Sequence, residues 1–523
     1  MKKVLLVILD GWGLSPLKEG NATYLAKTPN LDWIYGAYPK TSLSASGIDV
    51  GITPGESGNS EVGHLNLGSG RVVWENLPRI DLAIENGSLF KNENLNKIAD
   101  HVNSGGSALH LIGLCSAGSV HSSLKHLYAL LQFASDKNVD KVFIHMITDG
   151  RDTAPQVAKE DIKLIEEQAE KIGVGKIATI IGRFYAMDRD KHFERVEKAY
   201  NLWVLGQGDF YNSAADAIEA NYRAGADDEK IGACLINKEG LIRPGDGVVL
   251  FNFRADRMRQ VLGTFETESF SEFQRQKVNN LAMVTMTKYF DGQKAPAVFL
   301  PLDMTNVAAD IIEASAMKQS HIAETEKYAH VTYFFNGGEE KTHDHEEQVL
   351  VPSQRVESYD TVPEMSAGLI KDKVVEAINK QQDFVLVNFA NGDMVGHTGN
   401  LEASIKAAES IDQNLGPVMS AASAKGYTVI ITADHGNCEI MINPANGEVN
   451  KEHTGSPVPF VVCDLATKPF TPQSGTDFNH ETLLEYSSSP ATGILADVSP
   501  TVLQLMGLPK PGEMSGIDIS KLI

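Results

Sequence analysis

VLLVILDGWG, residues 4–13, opens with six apolar residues in unbroken succession and stops at an aspartate followed by glycine. A strand with one wet face alternates apolar and polar residues. A run without alternation therefore predicts a strand buried on both faces, as in a parallel sheet covered by helices. Behind Met1-Lys2-Lys3 the run imitates a secretory signal, but it is only six residues long and ends in Asp10 without a small-residue cleavage site, so it reads as a strand.

The same signature returns in VFIHMI (142–147), IATII (177–181), VVLFNF (248–253), FVLVNF (384–389) and YTVIIT (427–432). Helical patterns such as VAKEDIKLIEEQAEKIG (157–173) and EASIKAAESIDQNLGPVMSAASAKG (402–426) lie between them, which places the chain in the α/β class. A length of 523 residues exceeds one ordinary core and predicts roughly two to four domains. Two proline-bearing stretches, ENLPRID (75–81) and FLPLDMTN (299–306), read as linkers. The middle is then an insertion: residues 1–76 fold with 304–523, and 77–303 form a second domain.

Apolar content of 42% with 22% charged residues is that of a folded globular protein. A net charge of −22, from 46 Lys and Arg against 68 Asp and Glu, speaks against a nucleic-acid or anionic-membrane partner. Cys115, Cys234, Cys438 and Cys463 form no CxxC pair, which fits a reducing compartment and a cytoplasmic location. No apolar run approaches the roughly 20 residues that span a bilayer.

In open α/β sheets ligands bind beyond the carboxyl ends of the strands, so the residues following each buried run matter most. Asp10 follows the first run, Asp393 and His397 follow FVLVNF, and Asp434 and His435 follow YTVIIT. His453, in KEHTGSP, precedes the strand-like run VPFVV. Aspartate and histidine together suit Mn²⁺ or Zn²⁺ better than the all-oxygen shells of Ca²⁺ or Mg²⁺. Three aspartates and three histidines can hold two ions, the clamp of a phosphoryl transfer. Each alone has a plainer reading as a cap, turn or packed residue. Their recurrence at separate strand ends favours the joint one.

GNSEVGHLN (58–66) sets Ser60 between glycines. Flexible glycines would let Ser60 start a helix, whose amides and dipole favour phosphate. Ser60 alone reads as an N-cap; beside two metals it reads as a nucleophile, because coordination favours its alkoxide. No GxSxG elbow is present.

The middle segment repeats the strand-end pattern with arginines: Arg151 and Asp152 in DGRDTAP, Arg183 and Arg189 in RFYAMDRDKH, and Arg254 and Arg257 in RADRMRQ, three apart on a predicted helix face. His121 follows ALHLIGL across a loop. Arginine forks bind carboxylate and phosphate bidentately, which points to a small polyanion. The plain alternative is that each arginine pairs with a local acid such as Asp152, Asp188 or Asp256.

DGWG, GNSEVGHLNLGSGR, TDGRDT, FNFRADR, EKYAHVTYFFNGG, NGDMVGHTG, TADHGN and HTGSPVP, in this order, resemble the cofactor-independent phosphoglycerate mutases from Leu9 to the closing GLPKPGEMSG. The resemblance implies an alkaline-phosphatase-like core with a second α/β domain inserted, and two Mn²⁺, with Co²⁺ or Zn²⁺ as substitutes. Asp393, His397 and His453 would hold one ion; Asp10, Ser60, Asp434 and His435 would hold the other. Phosphoglycerate would be bound by His121, Arg151, Asp152, Arg183, Arg189, Arg254 and Arg257, with Lys327 completing the site. Ser60 would become phosphorylated by 3-phosphoglycerate and return the group to give 2-phosphoglycerate, with no 2,3-bisphosphoglycerate. Asp152, then His121, is the expected acid/base, hinges at the two linkers would gate turnover, and the family is usually monomeric. A phosphopentomutase or hydrolase of the same superfamily is the nearest competitor, and TDGRDT and FNFRADR speak against it.

Overall fold

Val4–Leu9 is a central strand of an eight-stranded sheet in the computed structural model of the chain, which describes residues 2–472 and 480–522. It runs parallel to Phe384–Phe389 on one side and to Thr428–Thr432 on the other. Gln319–Glu324 and Glu346–Val351 extend the parallel part. Val458–Asp464 and Lys40–Ser44 follow Thr428–Thr432, each antiparallel to its predecessor, and Gly493–Ile494 closes the far edge. All six side chains of Val4–Leu9 are buried, as are those of Phe384–Phe389, so both faces are covered as the unbroken apolar runs require.

Helix Leu401–Ala424 packs on this sheet, capped by Asn400, whose side chain accepts from the Ala403 amide. Its interior Pro417 leaves one carbonyl of the helix ladder without an amide donor. Asp412, buried on the same helix, accepts from the amides of Leu31 (2.8 Å) and Asn30 (3.2 Å) and so caps helix Pro29–Ala37. Burial pushes the Asp412 carboxyl up to about 6 against the pull of those amides.

The chain divides into two units, Met1–Trp74 with Asp303–Ile523 and Glu75–Leu302. The first boundary falls ahead of the expected residue 76 because ENLPRID is no linker. Asn76–Glu85 is a helix whose Asn76 Nδ2 donates to the Phe253 carbonyl at 3.3 Å, inside the second unit. Pro78 is tolerated there because the first turn of a helix has no partner for its amides. FLPLDMTN does leave regular structure, after the short strand Ala297–Phe299.

The second unit holds its own eight-stranded sheet, in the order Ala297–Phe299, Ala282–Thr287, Gly247–Leu250, Leu109–Leu114, Val142–Thr148, Lys176–Gly182, Cys234–Leu235, Asp209–Phe210. Within it, only Cys234–Leu235 against Lys176–Gly182 is antiparallel among the described residues. The run VVLFNF is strand only through Leu250, and Arg254 and Arg257 precede helix Arg259–Glu266 rather than sharing one of its faces.

A buried polar chain crosses this second sheet. Thr179 Oγ1 lies 2.8 Å from His145 Nδ1, His145 Nε2 2.9 Å from His110 Nδ1, and His110 Nε2 3.1 Å from Asp246 Oδ2. The carboxylate can only accept, so His110 Nε2 carries a hydrogen toward it. Burial, with His110 beside it, holds His145 well below the usual histidine range. The unfolded chain takes a proton near 6.5 that the folded chain refuses, so stability falls as pH drops below that value, by at most about 1.4 kcal/mol per pH unit. Amide exchange in Val142–Thr148 should therefore speed up between pH 7.5 and 5.5 beyond its intrinsic pH dependence. An opening free energy that does not change over this interval would refute the point.

Candidate active site

Four strand ends of the first unit converge. Asp10 follows Val4–Leu9, its amide still donating to the Phe389 carbonyl at 3.1 Å. Asp393 lies on the short helix Asn391–Gly396, and Asp434 and His435 follow Thr428–Thr432. His453 reaches the same edge because the strand after it is antiparallel, so its start lies beside the ends of the others. Ser60 is the first residue of helix Ser60–Ser69, and the N-cap is Asn59, which accepts from the Val62 amide at 2.9 Å. The glycines around it serve close approach rather than flexibility. A Cβ on Gly58 would stand 2.1 Å from the Ala45 carbonyl oxygen, and one on Gly63 2.7 Å from that of Asp434.

Ser60 Oγ lies 2.7 Å from Lys327 Nζ, 2.9 Å from His435 Nε2 and 3.4 Å from Asp10 Oδ1. Lys327 Nζ also stands 2.6 Å from both Asp10 Oδ1 and Asp393 Oδ2, and all these groups are buried. His397 Nε2 and His453 Nε2 approach Asp393 Oδ1 at 3.1 and 3.0 Å. His435 Nε2 lies between the two halves, 3.7 Å from Asp10 Oδ1 and 3.9 Å from Asp393 Oδ1. Six of the expected residues, Asp10, Asp393, His397, Asp434, His435 and His453, thus meet around Ser60 and Lys327.

The donor chemistry fits metal ions. Nδ1 of His397 faces the Lys451 carbonyl at 2.7 Å, that of His453 faces Gly58 at 2.9 Å, and that of His435 faces Gly436 at 3.3 Å. A carbonyl only accepts, so each Nδ1 carries a hydrogen and Nε2 is the ring atom left to face a cation. The Nε2 atoms of His397 and His453 face each other at 3.0 Å, an arrangement that needs a cation or a proton between them. Asp434 Oδ2 is fully buried, and His64 Nδ1, 3.2 Å away, faces the Ser60 carbonyl more closely at 2.8 Å, which leaves the oxygen open to a cation. Asp393, His435 and His453 form one group able to hold an ion, and Asp10, Asp434 and His435 another. A third group, Asp310, Glu313 and His343, does not fit. His343 uses both ring nitrogens on Glu346 (2.7 Å) and Asp310 (2.9 Å), and Lys341 already bridges Asp310 and Glu313.

Electrostatics follow from burial and crowding. Burial, with Asp434 and Asp393 close by, raises Asp10 above the carboxylate range. Burial also pushes Asp393 up, but Lys327, His397 and His453 outweigh it and hold it well below that range. Burial opposes the charge on Lys327, and Asp10, Asp393 and Asp434 overcome it, so the ammonium is held above its ordinary value.

In the second unit the arginines are each engaged. Arg183, buried, donates to Asp149 Oδ1 (2.6 Å) and Asp152 Oδ2 (2.5 Å). Arg151 pairs with Glu229, and Arg189 with Asp256 at 2.9 Å. Arg254 Nε approaches Asp256 at 3.5 Å, and Arg257 donates to the Met187 carbonyl at 3.0 Å. Asp188 pairs with Arg195, not with Arg189. His121 lies 3.8 Å from Asp152 Oδ2 and 3.7 Å from Asp256 Oδ1, beyond hydrogen-bond reach. Burial and Arg183 lower it to about 4, so the imidazole is neutral.

Four residues were not singled out from the sequence. Asp149 holds Arg183 and accepts from Ser116 Oγ at 2.6 Å. Asn388 Nδ2 donates to Asp10 Oδ2 at 2.7 Å and lies 3.1 Å from His64 Nε2. His64 Nδ1 is 3.2 Å from Asp434 Oδ2, and Glu439 ties backbone amides behind the cluster. All four stand inside or beside quoted motifs. Only their placement beneath other polar groups marks them.

The sheet, the convergent Asp/His donors and the serine at a helix N-terminus define the class, an alkaline-phosphatase-like α/β core with a second α/β domain inserted. Residues 80–291 match the family model "BPG-independent PGAM N-terminus", and 272–450 match "Type I phosphodiesterase / nucleotide pyrophosphatase". The chain is 45% identical over 99% of its length to the 2,3-bisphosphoglycerate-independent phosphoglycerate mutase of Clostridium novyi, with 99% of that protein covered. The enzyme of the same description from Clostridium acetobutylicum is 46% identical, with 98% of both chains covered. A crystal structure of Leishmania mexicana phosphoglycerate mutase at low cobalt concentration aligns over 99% of this chain and 97% of its own, with 30% identity and a TM-score of 0.53. The chain belongs to the 2,3-bisphosphoglycerate-independent phosphoglycerate mutases and is an isomerase. No helix among the described residues is long and apolar enough to cross a membrane.

Proposed function

We propose that the chain interconverts 3-phosphoglycerate and 2-phosphoglycerate by passing the phosphoryl group to Ser60 and returning it to the other hydroxyl of the same glycerate. The observation that carries this reading is Ser60 Oγ itself, a buried hydroxyl within 2.9 Å of both Lys327 Nζ and His435 Nε2 at the start of a helix. Asp393, His397 and His453 would hold one Mn²⁺, and Asp10, Ser60, Asp434 and His435 a second, with Co²⁺ or Zn²⁺ acceptable to the same donors. Such ions, when bound, polarise phosphoryl oxygens and favour the serine alkoxide.

Ser60 Oγ, deprotonated, attacks the phosphorus and becomes phosphoserine as the bond from phosphorus to the glycerate oxygen breaks, and the freed oxygen takes a proton from the acid/base. The Lys327 ammonium and the free amides of helix Ser60–Ser69 face the negative charge of the transferring group. Arg151, Arg183, Arg189, Arg254 and Arg257 hold the glycerate carboxylate and phosphate. Asp152, with neutral His121 beside it, moves the proton between glycerate hydroxyls. Water must be kept from the phosphoserine, or transfer becomes hydrolysis. We assign the working form to the cytoplasm, in keeping with four buried, unpaired cysteines, and as a monomer.

Glu229 occupies Arg151 much as a substrate carboxylate would, with the Arg151 side chain about half exposed. Glu229→Gln should free that fork and lower KM for phosphoglycerate by up to about fivefold, the worth of an exposed ion pair. An unchanged or higher KM would remove Arg151 from the carboxylate site.

The reading is tested with chelator-stripped protein given 3-phosphoglycerate, with and without Mn²⁺ and with no bisphosphate. The expected result is 2-phosphoglycerate only when metal is added, with little free phosphate. Dominant release of phosphate would make the same site a phosphatase.

A further inference from the structure

Behind the Asp/His cluster lies one carboxylate that neither binds a cation nor faces the reacting serine. Glu439 is fully buried, and no Lys, Arg or His among the described residues pairs with it. Its Oε2 accepts from the Gly13 amide at 3.2 Å and from the Asn437 amide at 2.8 Å, and its Oε1 accepts from Thr454 Oγ1. These donors belong to three separate loops. Gly13 follows Asp10, Asn437 follows Asp434 and His435, and Thr454 follows His453. The Thr454 amide also donates to the Gly436 carbonyl at 3.0 Å, and Asn437 Nδ2 reaches Asp393 Oδ1 at 3.4 Å, so the knot touches both halves of the cluster.

Gly13 of DGWG and Gly436 of TADHGN follow from this carboxylate. A Cβ on Gly13 would stand 2.3 Å from Glu439 Cδ, and one on Gly436 2.6 Å from Glu439 Oε1 and 2.4 Å from Thr454 Oγ1. The chain gives up side chains at two positions so that its loops can close on the carboxylate. Burying an unpaired charge is costly, and a neutral glutamine could fill the same volume. Only an ionised carboxylate is acceptor on both oxygens; a glutamine must turn its N–H₂ toward at least one N–H or O–H donor.

We infer that Glu439 is a positioning residue that fixes the separation of the two metal half-sites, by holding the Asp10, Asp434–His435 and His453 loops on one acceptor. The inference rests on the two-ion reading above and adds a residue that coordinates nothing. It sets ligand geometry from behind, as the groups hydrogen-bonded to metal ligands do elsewhere.

The test is Mn²⁺ binding to the chelator-stripped full chain, measured by calorimetry alongside turnover. Wild type is expected to take up two Mn²⁺. Glu439→Gln should bind Mn²⁺ about 10- to 100-fold more weakly, the range for loss of a group that orients ligands. At saturating Mn²⁺ its KM for phosphoglycerate should equal that of wild type, since no substrate contact has changed. Thr454→Val, which removes one donor, should weaken Mn²⁺ binding, while Thr454→Ser, which keeps it, should not. Equal affinity in wild type and Glu439→Gln overturns the positioning role and leaves the metal reading standing. If Glu439→Gln fails to fold, equal Mn²⁺ affinity in Thr454→Val and Thr454→Ser overturns it instead. A wild-type protein that binds no Mn²⁺ overturns the metal reading and this inference together.

Discussion

Ser60→Ala is expected to abolish turnover of 3-phosphoglycerate, by at least about 10⁴-fold, while leaving phosphoglycerate binding in place. The magnitude is that of removing a nucleophile, where what survives is only binding and electrostatics. The fold has no reason to suffer. Helix Ser60–Ser69 is capped by Asn59 rather than by Ser60, and alanine is the best helix former. The hydroxyl's neighbours, Lys327 Nζ and His435 Nε2, keep other partners in Asp10, Asp393 and Asp434. Calorimetric binding of 2-phosphoglycerate paired with a coupled assay decides it. Residual turnover within a hundredfold of wild type, or no phosphoserine on the Ser60 peptide after acid quenching of the native enzyme, would end the covalent route.

Lys327→Met should cost about 10²- to 10³-fold in kcat, the price of one preorganised cation facing developing charge. It should also destabilise the metal-free protein by about 3 to 5 kcal/mol, because two buried carboxylates, Asp10 and Asp393, lose the ammonium that lies 2.6 Å from each. The two effects separate on adding Mn²⁺. A bound ion supplies positive charge to the same carboxylates, so Mn²⁺ should raise the unfolding midpoint of the variant more than that of wild type, yet leave the deficit in kcat. If Mn²⁺ restores kcat fully, Lys327 only substitutes for metal in the empty cluster and has no part in transfer.

Much of this site was legible in the chain. The rule that ligands sit beyond the carboxyl ends of buried strands led from VLLVIL, FVLVNF and YTVIIT to Asp10, Asp393, His397, Asp434 and His435. His453 could be listed with them although its strand runs the other way. The arginines came from the same rule, but their arrangement did not. Arg254 and Arg257 lie ahead of a helix, not on one, because strand Gly247–Leu250 ends earlier than its apolar run. ENLPRID read as a linker on account of its proline and is the first turn of a helix, where proline is harmless. The glycines around Ser60 looked like flexibility, and they are clearance for the carbonyls of Ala45 and Asp434.

By itself the sequence determined which chemistry the chain carries and on which class of fold, because apolar runs without alternation demand a covered sheet and the residues at their ends are then bound to share an edge. Tertiary structure alone decided how those residues face one another. That Asn388 steadies Asp10, that His64 lies against Asp434, and that Glu439 gathers three loops are contacts across hundreds of residues. A buried polar side chain is written in the sequence like any exposed one; its partners exist only where the folded backbone brings orphan donors and acceptors within hydrogen-bond reach.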